Sequence, residues 1–223
     1  MLMDPNGNEF VNFESSVVHL GALLNEDLRD DADIRSRICK ATQMFGYLRR
    51  NLMASKKVWT EVKRRIFIGM LIPILLDGAE TWIVTAALER ELTTAFNDMV
   101  RSSLRLSTHT TWKHHITTEE LLRKIGLNNL AFYLDWKLLS HAGHVQRMED
   151  IRLPRVITNS TIMGKCRSGG QHKKHSTQIL SALRRCDIDN DKWKELAQDR
   201  LFWNNRIKSP EHRQMQSAKL KKR

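Results

Sequence analysis

With 223 residues and a mass of 26.0 kDa, the chain is long enough for one compact domain or two small ones that share a boundary. Hydrophobic residues make up 41% and charged residues 28%, which excludes a mainly disordered, collagen-like or membrane-embedded protein. Thirty-seven Lys and Arg against 25 Asp and Glu give a formal charge of +12, so the first partner expected is a polyanion: nucleic acid, then an anionic membrane surface.

After a polar, turn-prone start, two short apolar clusters (Phe10, Val11 and Phe13, then Val17, Val18 and Leu20) end at Gly21 and form the best strand candidate. From Asp33 the period changes. Ile34, Ile38, Ala41, Phe45, Leu48 and Leu52 fall on one helical stripe, which predicts an amphipathic helix. Asp30, Asp31 and Asp33 sit where carboxylates can accept from the unpaired amides of its first turn, and Arg49 and Arg50 lie near its negative end. A second helix is expected from about Ser55, with Lys56, Lys57, Lys63, Arg64 and Arg65 on a basic face, before the apolar run Ile66 to Leu76. That run contains Gly69 and Pro73, and at eleven residues it falls short of the roughly 20 that span a bilayer, so it reads as core. Pro73 is expected to kink or end the helix.

A third helix follows from about Thr85, with Leu88, Leu92, Phe96, Met99 and Leu106 as its stripe and Arg101 and Arg105 nearby. Thr117 and Glu120 have the spacing of a capping box, opening a short helix that Gly126 can terminate. Leu130, Leu134, Leu138, Ala142 and Val145 predict a longer helix with Gly143 inside it. Residues 158 to 177 read as a basic, glycine-rich loop, residues 177–186 and 191–206 as two further short helices, and Lys208 to Arg223 as a mobile basic tail. The charge is lopsided: residues 1–100 carry 12 basic and 14 acidic side chains, and the remaining 123 carry 25 and 11. Electrostatic binding of a phosphate backbone should therefore fall mainly to the second half.

Chemistry-bearing motifs are sparse. Cys39, Cys166 and Cys186 are odd in number and far apart, so no disulfide framework is expected, and a start lacking the pattern of a secretory signal predicts reduced thiols inside a cell. Cys166, His172, His175 and Cys186 have the chemistry of zinc ligands in a spacing that matches no standard finger. Glu26, Asp27, Asp30, Asp31 and Asp33 could hold a divalent cation, but the helix-start reading outweighs it. His109, His114 and His115 are simpler to use as donors to phosphates or backbone. No phosphate-binding glycine loop, Gly-x-Ser-x-Gly elbow or His-Glu-x-x-His pair is present. Trp82 and Trp136 lie in apolar surroundings, whereas Trp112, followed by Lys113, His114 and His115, is the better platform for stacking a base.

Four segments carry a resemblance that extends from about Phe13 to Ile207. They are His19-Leu20-Gly21 with the helix from Asp33 to Ala41, then Leu75-Leu76-Asp77-Gly78-Ala79-Glu80-Thr81-Trp82, then Gly143-His144-Val145-Gln146-Arg147-Met148-Glu149-Asp150-Ile151-Arg152-Leu153-Pro154, and last Trp193 to Trp203 with Ala197, Asp199 and Arg200. Together they resemble the C-terminal part, after the polymerase palm, of reverse transcriptases encoded by non-LTR (LINE-type) retrotransposons. His19 stands where the family has Tyr, Asp77 where an aromatic is usual, and Gly169-Gly170-Gln171 and Lys174-His175 replace the family's Gly-Arg-Pro and Arg-Trp elements.

The resemblance implies a mainly α fold: a palm-edge β remnant over residues 1–24, a thumb-like helical bundle over 25–107, a basic helical region over 108–207 and a mobile tail over 208–223. It implies RNA-directed DNA polymerase ancestry without the catalytic aspartates, because Asp30-Asp31 is not the family's Tyr-x-Asp-Asp hairpin. No catalytic residue, metal or cofactor is therefore expected in this chain, and Mg²⁺ would belong only to the missing palm. The thumb would hold the phosphates of an RNA–DNA hybrid or other nucleic acid, alongside the missing palm and fingers and away from membranes. Candidate contacts are Lys56, Lys57, Lys63, Arg64, Arg65, Arg101, Arg105, Lys113, His114, Arg147, Arg167, Lys173 and Lys174. An intracellular location, nuclear or cytoplasmic, fits the basic cluster Lys219-Leu220-Lys221-Lys222-Arg223. Two rival classes are a non-catalytic RNA- or DNA-binding module, whether a fragment of the polymerase or a surviving product of it, and a helical protein-interaction module whose charge only keeps it soluble; a third, a metal-dependent nuclease, rests only on the acidic cluster.

Overall fold

The computed structural model describes residues 16–19, 21–25, 29–160 and 174–208, and the fold is mainly helical with one small antiparallel sheet near the N-terminus. β1 (Ser16–His19) and β2 (Ala22–Asn25) pair with Ser16 opposite Asn25 and His19 opposite Ala22. The chain reverses through Gly21 at φ +85°, a conformation that L side chains rarely adopt. The sequence located β1 and the turn but not β2; the apolar cluster at residues 10–13 lies outside the described residues.

α1 (Asp31–Leu48) continues without a break into a π turn, Arg49–Met53. A π turn contains an extra residue, which rotates everything after it around the helix axis. This explains why the predicted stripe holds at Ile34, Ala41 and Phe45, all buried, and fails at Leu52, which is exposed while Met53 takes its place in the core. α2 (Thr60–Ile66) starts later than expected and passes through a second π turn, Phe67–Leu71, into α3 (Ile72–Leu75). Pro73 lies in the first turn after that widened stretch, where a missing N–H is tolerated, and the helix runs on to Leu75.

α4 (Ala86–Ser103) is capped by the Thr85 side chain, which accepts from Leu88 N. α5 (Thr108–Lys113) is short, and α6 (Thr118–Ile125) shows the expected Thr117–Glu120 capping box and ends on left-handed Gly126. These elements, with the start of α7 (Leu130–Gln146), enclose a first core around Phe67, Leu92, Phe96 and Tyr133. That core continues beyond residue 107 through Leu121, Ile125, Leu130 and Tyr133.

A second core gathers the rest of α7 (Leu138, Leu139, Ala142), α9 (His175–Arg185), α10 (Trp193–Leu196) and α11 (Arg200–Ile207), centred on Trp193 and Trp203. α8 (Leu153–Asn159) buries none of its residues. Asp135 of α7, 3% exposed, receives a two-pronged contact from Arg185 of α9, with Nε donating to Oδ2 at 2.7 Å. Among the described residues no helix is long and apolar enough to cross a membrane.

Candidate nucleic-acid interface

Asp30 and Asp33 of the acidic cluster form a structural node. Asp33 is 5% exposed; its Oδ1 accepts from the Leu23 amide and its Oδ2 from the Trp82 indole, both at 3.0 Å. Arg37, one turn on and also buried, lies 3.6 Å from Asp33, donates to the Gly21 carbonyl at 2.8 Å and meets Asp77 at 2.6 Å. Asp30 makes no capping bond within α1 and instead accepts from the Ile83 amide at 2.7 Å. Burial raises the Asp30 pKa above the usual carboxylate value, while that amide pulls it down. The expectation that Asp30 and Asp33 accept from the first turn of α1 is thus corrected: both reach out to the hairpin and the 76–84 loop. Glu26 and Asp27 lie outside the described residues. No group of three potential metal ligands occurs among the described residues.

The same node gives the Gly78–Trp82 segment a structural job. Gly78 turns at φ +80°, Ala79 and Trp82 are buried, and the Gln178 amide of α9 is placed to donate to the Trp82 carbonyl (3.0 Å) and accept from the Val84 amide (2.9 Å). The Gly143–Pro154 and Trp193–Trp203 segments interlock in turn. A Cβ on Gly143 would stand 2.3 Å from Nε1 of Trp203, whose indole donates to the Leu139 carbonyl at 2.9 Å. Arg147 donates to the Ala197 carbonyl at 2.6 Å, and Asp199 caps α11 by accepting from the Leu201 and Phe202 amides.

The thirteen sequence-derived contacts therefore separate. Lys63 is corrected from a surface cation to an internal strut: it is buried, and its ammonium donates to the Ser103 carbonyl at the end of α4 at 3.0 Å. Burial pushes its pKa down, and neighbouring Arg105 adds to the shift. Arg147 is likewise occupied on Ala197, and Arg101 by Asp98 at 2.6 Å. Arg64 donates to the Gly126 carbonyl and, with Arg65, pairs with Glu61. Lys56, Lys57, Arg105, Lys113, His114 and Lys174 are exposed. Arg167 and Lys173 lie outside the described residues, as do Cys166 and His172. His175 and Cys186 sit at opposite ends of α9, about 16 Å apart along the axis, too far to share an ion.

Lys63 ties two of the cation-bearing segments to each other. Its bond to Ser103 holds α2 against the end of α4 beside Arg105, while Lys56 and Lys57 precede α2 in the chain and Lys113 and His114 close α5. Two tryptophans on these segments are exposed, Trp59 at 81% and Trp112 at 74%. Exposure of Trp112 fits its expected use as a stacking platform; Trp59, not singled out in the sequence, follows Lys56-Lys57-Val58 and so has the same basic-aromatic pattern in reverse. The backbone adds a second signal. α4, α5, α6 and α9 each end in a left-handed residue followed by an amide that bonds back to the last turn, as in Leu106 N to Arg101 O and Leu127 N to Leu122 O. Only α6 uses glycine there; α4 uses Arg105 (φ 60°), α5 uses His115 (φ 50°) and α9 uses Asp187 (φ 55°), so three non-glycine side chains hold strained positions.

Thiol chemistry provides an independent check on the second core. Cys186 is buried, and burial, followed by the nearby Asp135 charge, pushes its thiol up to about 12, whereas Cys39 is exposed. In a timed alkylation at pH 8, read by peptide mass mapping, Cys39 should react within minutes and Cys186 only in denaturant. Equal rates for the two would mean that the second core is open in solution.

No family model, curated protein or solved structure matches the chain.

Proposed function

We propose that this chain is the non-catalytic, duplex-gripping part of a non-LTR retrotransposon reverse transcriptase, acting inside the cell, in nucleus or cytoplasm, on an RNA–DNA hybrid. The observation that carries the reading is Arg105, an exposed basic side chain in a left-handed position that favours glycine, close enough to Lys63 for its charge to be felt there, with Lys56, Lys57, Trp59 and Trp112 exposed on the chain segments that adjoin α2 and α4. The four resembling segments support the polymerase ancestry. The resemblance assigns any Mg²⁺-dependent step to a separate palm, and Asp30 and Asp33 are engaged in hydrogen bonds within the fold.

Salt-titrated binding of the purified chain to a labelled RNA–DNA hybrid tests this. Binding should weaken steeply with salt, and Lys56→Ala with Lys57→Ala should flatten the log–log slope by about 2. Arg105→Gly should flatten it by about 1 while stability stays level or rises by up to about 1 kcal/mol. A variant that binds less while folding at least as well cannot owe its defect to misfolding. Slopes unchanged by all three substitutions would refute the interface.

A protein-interaction module is the second reading. It is favoured by the apolar stretch around α8, where Ile151, Leu153, Val156 and Ile157 are all exposed. Absence of hybrid binding even at low salt would select it.

A further inference from the structure

α5 buries none of its residues, so unwinding it disturbs neither core and frees a stretch of chain that an enzyme can bind in extended form. Its hydroxyls are not equivalent. Ser107 Oγ accepts from the Thr110 amide at 3.0 Å and lies 2.8 Å from the Thr110 hydroxyl, and the Thr111 hydroxyl donates to the Thr108 carbonyl at 2.8 Å. Thr108 is exposed, and its hydroxyl accepts from Nη1 of Arg101 at 3.5 Å while its own proton has no acceptor among the described residues. Arg105 stands three residues before Thr108, and a basic side chain at a fixed spacing is the kind of charge pattern by which kinases select an acceptor hydroxyl. Three other hydroxyls follow an arginine at this spacing, and each differs. Thr93, after Arg90, is half-buried in the interior of α4. Thr158, after Arg155, donates to the Pro154 carbonyl, and the Arg155 guanidinium is taken up by the Gln146 and Met148 carbonyls and by Asp150. Ser209, after Arg206, lies outside the described residues. Arg105 is exposed and its guanidinium makes no ion pair or hydrogen bond among the described residues, which leaves it open to be read.

We propose that Thr108 is a phosphorylation site, modified by a kinase that reads Arg105, and that the phosphate engages Arg101 and Arg105 and so weakens the hold on nucleic acid. The Thr108 oxygen attacks the terminal phosphorus of a nucleoside triphosphate. An O–P bond forms, the bond from that phosphorus to the bridging oxygen breaks, the nucleoside diphosphate leaves and the hydroxyl proton passes to the kinase. The product places a charge of about −2 on the residue that Arg101 already touches. The present partner of Arg101 is Asp98, a singly charged carboxylate whose side chain is 56% exposed, and a phosphate dianion is the stronger partner for a guanidinium. The switching role rests on the nucleic-acid reading above, whereas the modification itself does not.

The test incubates the full, folded chain with ATP and a purified kinase that selects arginine three residues before its acceptor, then maps the phosphate by peptide mass spectrometry. Phosphate should appear on Thr108, persist in Ser107→Ala, disappear in Thr108→Ala and form more slowly in Arg105→Gly. Thr108→Ala removes only the 3.5 Å contact with Arg101 from an exposed position, so folding should survive. Phosphate on Ser107, Thr93, Thr158 or Ser209 with none on Thr108, or modification of Thr108 only after denaturation, would overturn the proposal. In a salt titration with the labelled RNA–DNA hybrid, the phosphorylated chain should give a log–log slope flatter by about 2 than the untreated chain. Thr108→Ala carried through the same kinase treatment should keep its slope. Phosphorylation of Thr108 that leaves the slope unchanged would overturn the switch and leave the duplex reading intact. Absence of hybrid binding by the untreated chain would overturn the duplex reading and the switch together, while the mass map still decides the modification.

Discussion

Asp33→Ala should cost about 3–5 kcal/mol, the range for removing one partner from a buried ion pair. The carboxylate does three things at once: it accepts from the Leu23 amide of β2, accepts from the Trp82 indole and lies against Arg37. Deleting it strands the buried Trp82 indole and the half-buried Leu23 amide and leaves Arg37 with the Gly21 carbonyl and Asp77. Asp77 is 58% exposed, so Asp77→Ala should cost less than about 1 kcal/mol. Urea denaturation followed by circular dichroism measures both, and amide exchange at Leu23 locates the damage. A loss below about 1 kcal/mol for Asp33→Ala would show that the hairpin is not anchored by this node.

Gly143→Ala is the second large effect, and its sign is set by geometry. The added methyl would meet Nε1, Cδ1 and Cε2 of Trp203 at 2.3, 2.7 and 2.9 Å, and the rigid, fully buried indole has no side-chain end to swing away. Overpacking of this kind costs about 1–3 kcal/mol, and displacing the indole forfeits its bond to the Leu139 carbonyl as well. Gly46→Ala is the matched control. It sits in α1, exposed, with nothing within 4 Å of the new methyl, so it should stabilise by up to about 1 kcal/mol. Opposite shifts in thermal midpoint for one chemical change at two helical glycines are the expected result. Trp203→Phe combined with Gly143→Ala should recover part of the loss, which a double-mutant cycle would show as positive coupling. Two stabilising shifts of equal size would mean that helix propensity, not the Trp203 contact, dominates at Gly143.

The sequence was most informative where one local rule decides the outcome. Thr85, the Thr117–Glu120 box and Gly126 mark helix ends by chemistry acting within one turn, and all are found where the residues place them. Periodicity located α1, α4 and α7 for the same reason. It misled at Leu52, because a π turn is a register change that no hydrophobic stripe announces. It could not assign partners over distance: nothing near Asp30 or Asp33 in the chain signals that their acceptors are wanted by Ile83, Leu23 and Trp82, as many as 53 residues away. The basic residues illustrate the same limit. Lys63 and Lys56 look alike in sequence, yet one is a buried strut and the other faces solvent, since only the contact of Lys63 with the Ser103 carbonyl at the end of α4 distinguishes them. The motif glycine at 143 was legible as a fixed position but not as a socket for an indole.

One helix belongs to both cores. α7 contributes Leu130, Phe132 and Tyr133 to the first and Leu138, Leu139 and Ala142 to the second, with no break between them. A rigid rod shared in this way acts as an axle: a twist imposed on one end is delivered to the other as rotation and is not absorbed in a hinge. Melting either core exposes half of the same rod, so the central amides of α7 should exchange with solvent only when the whole chain opens.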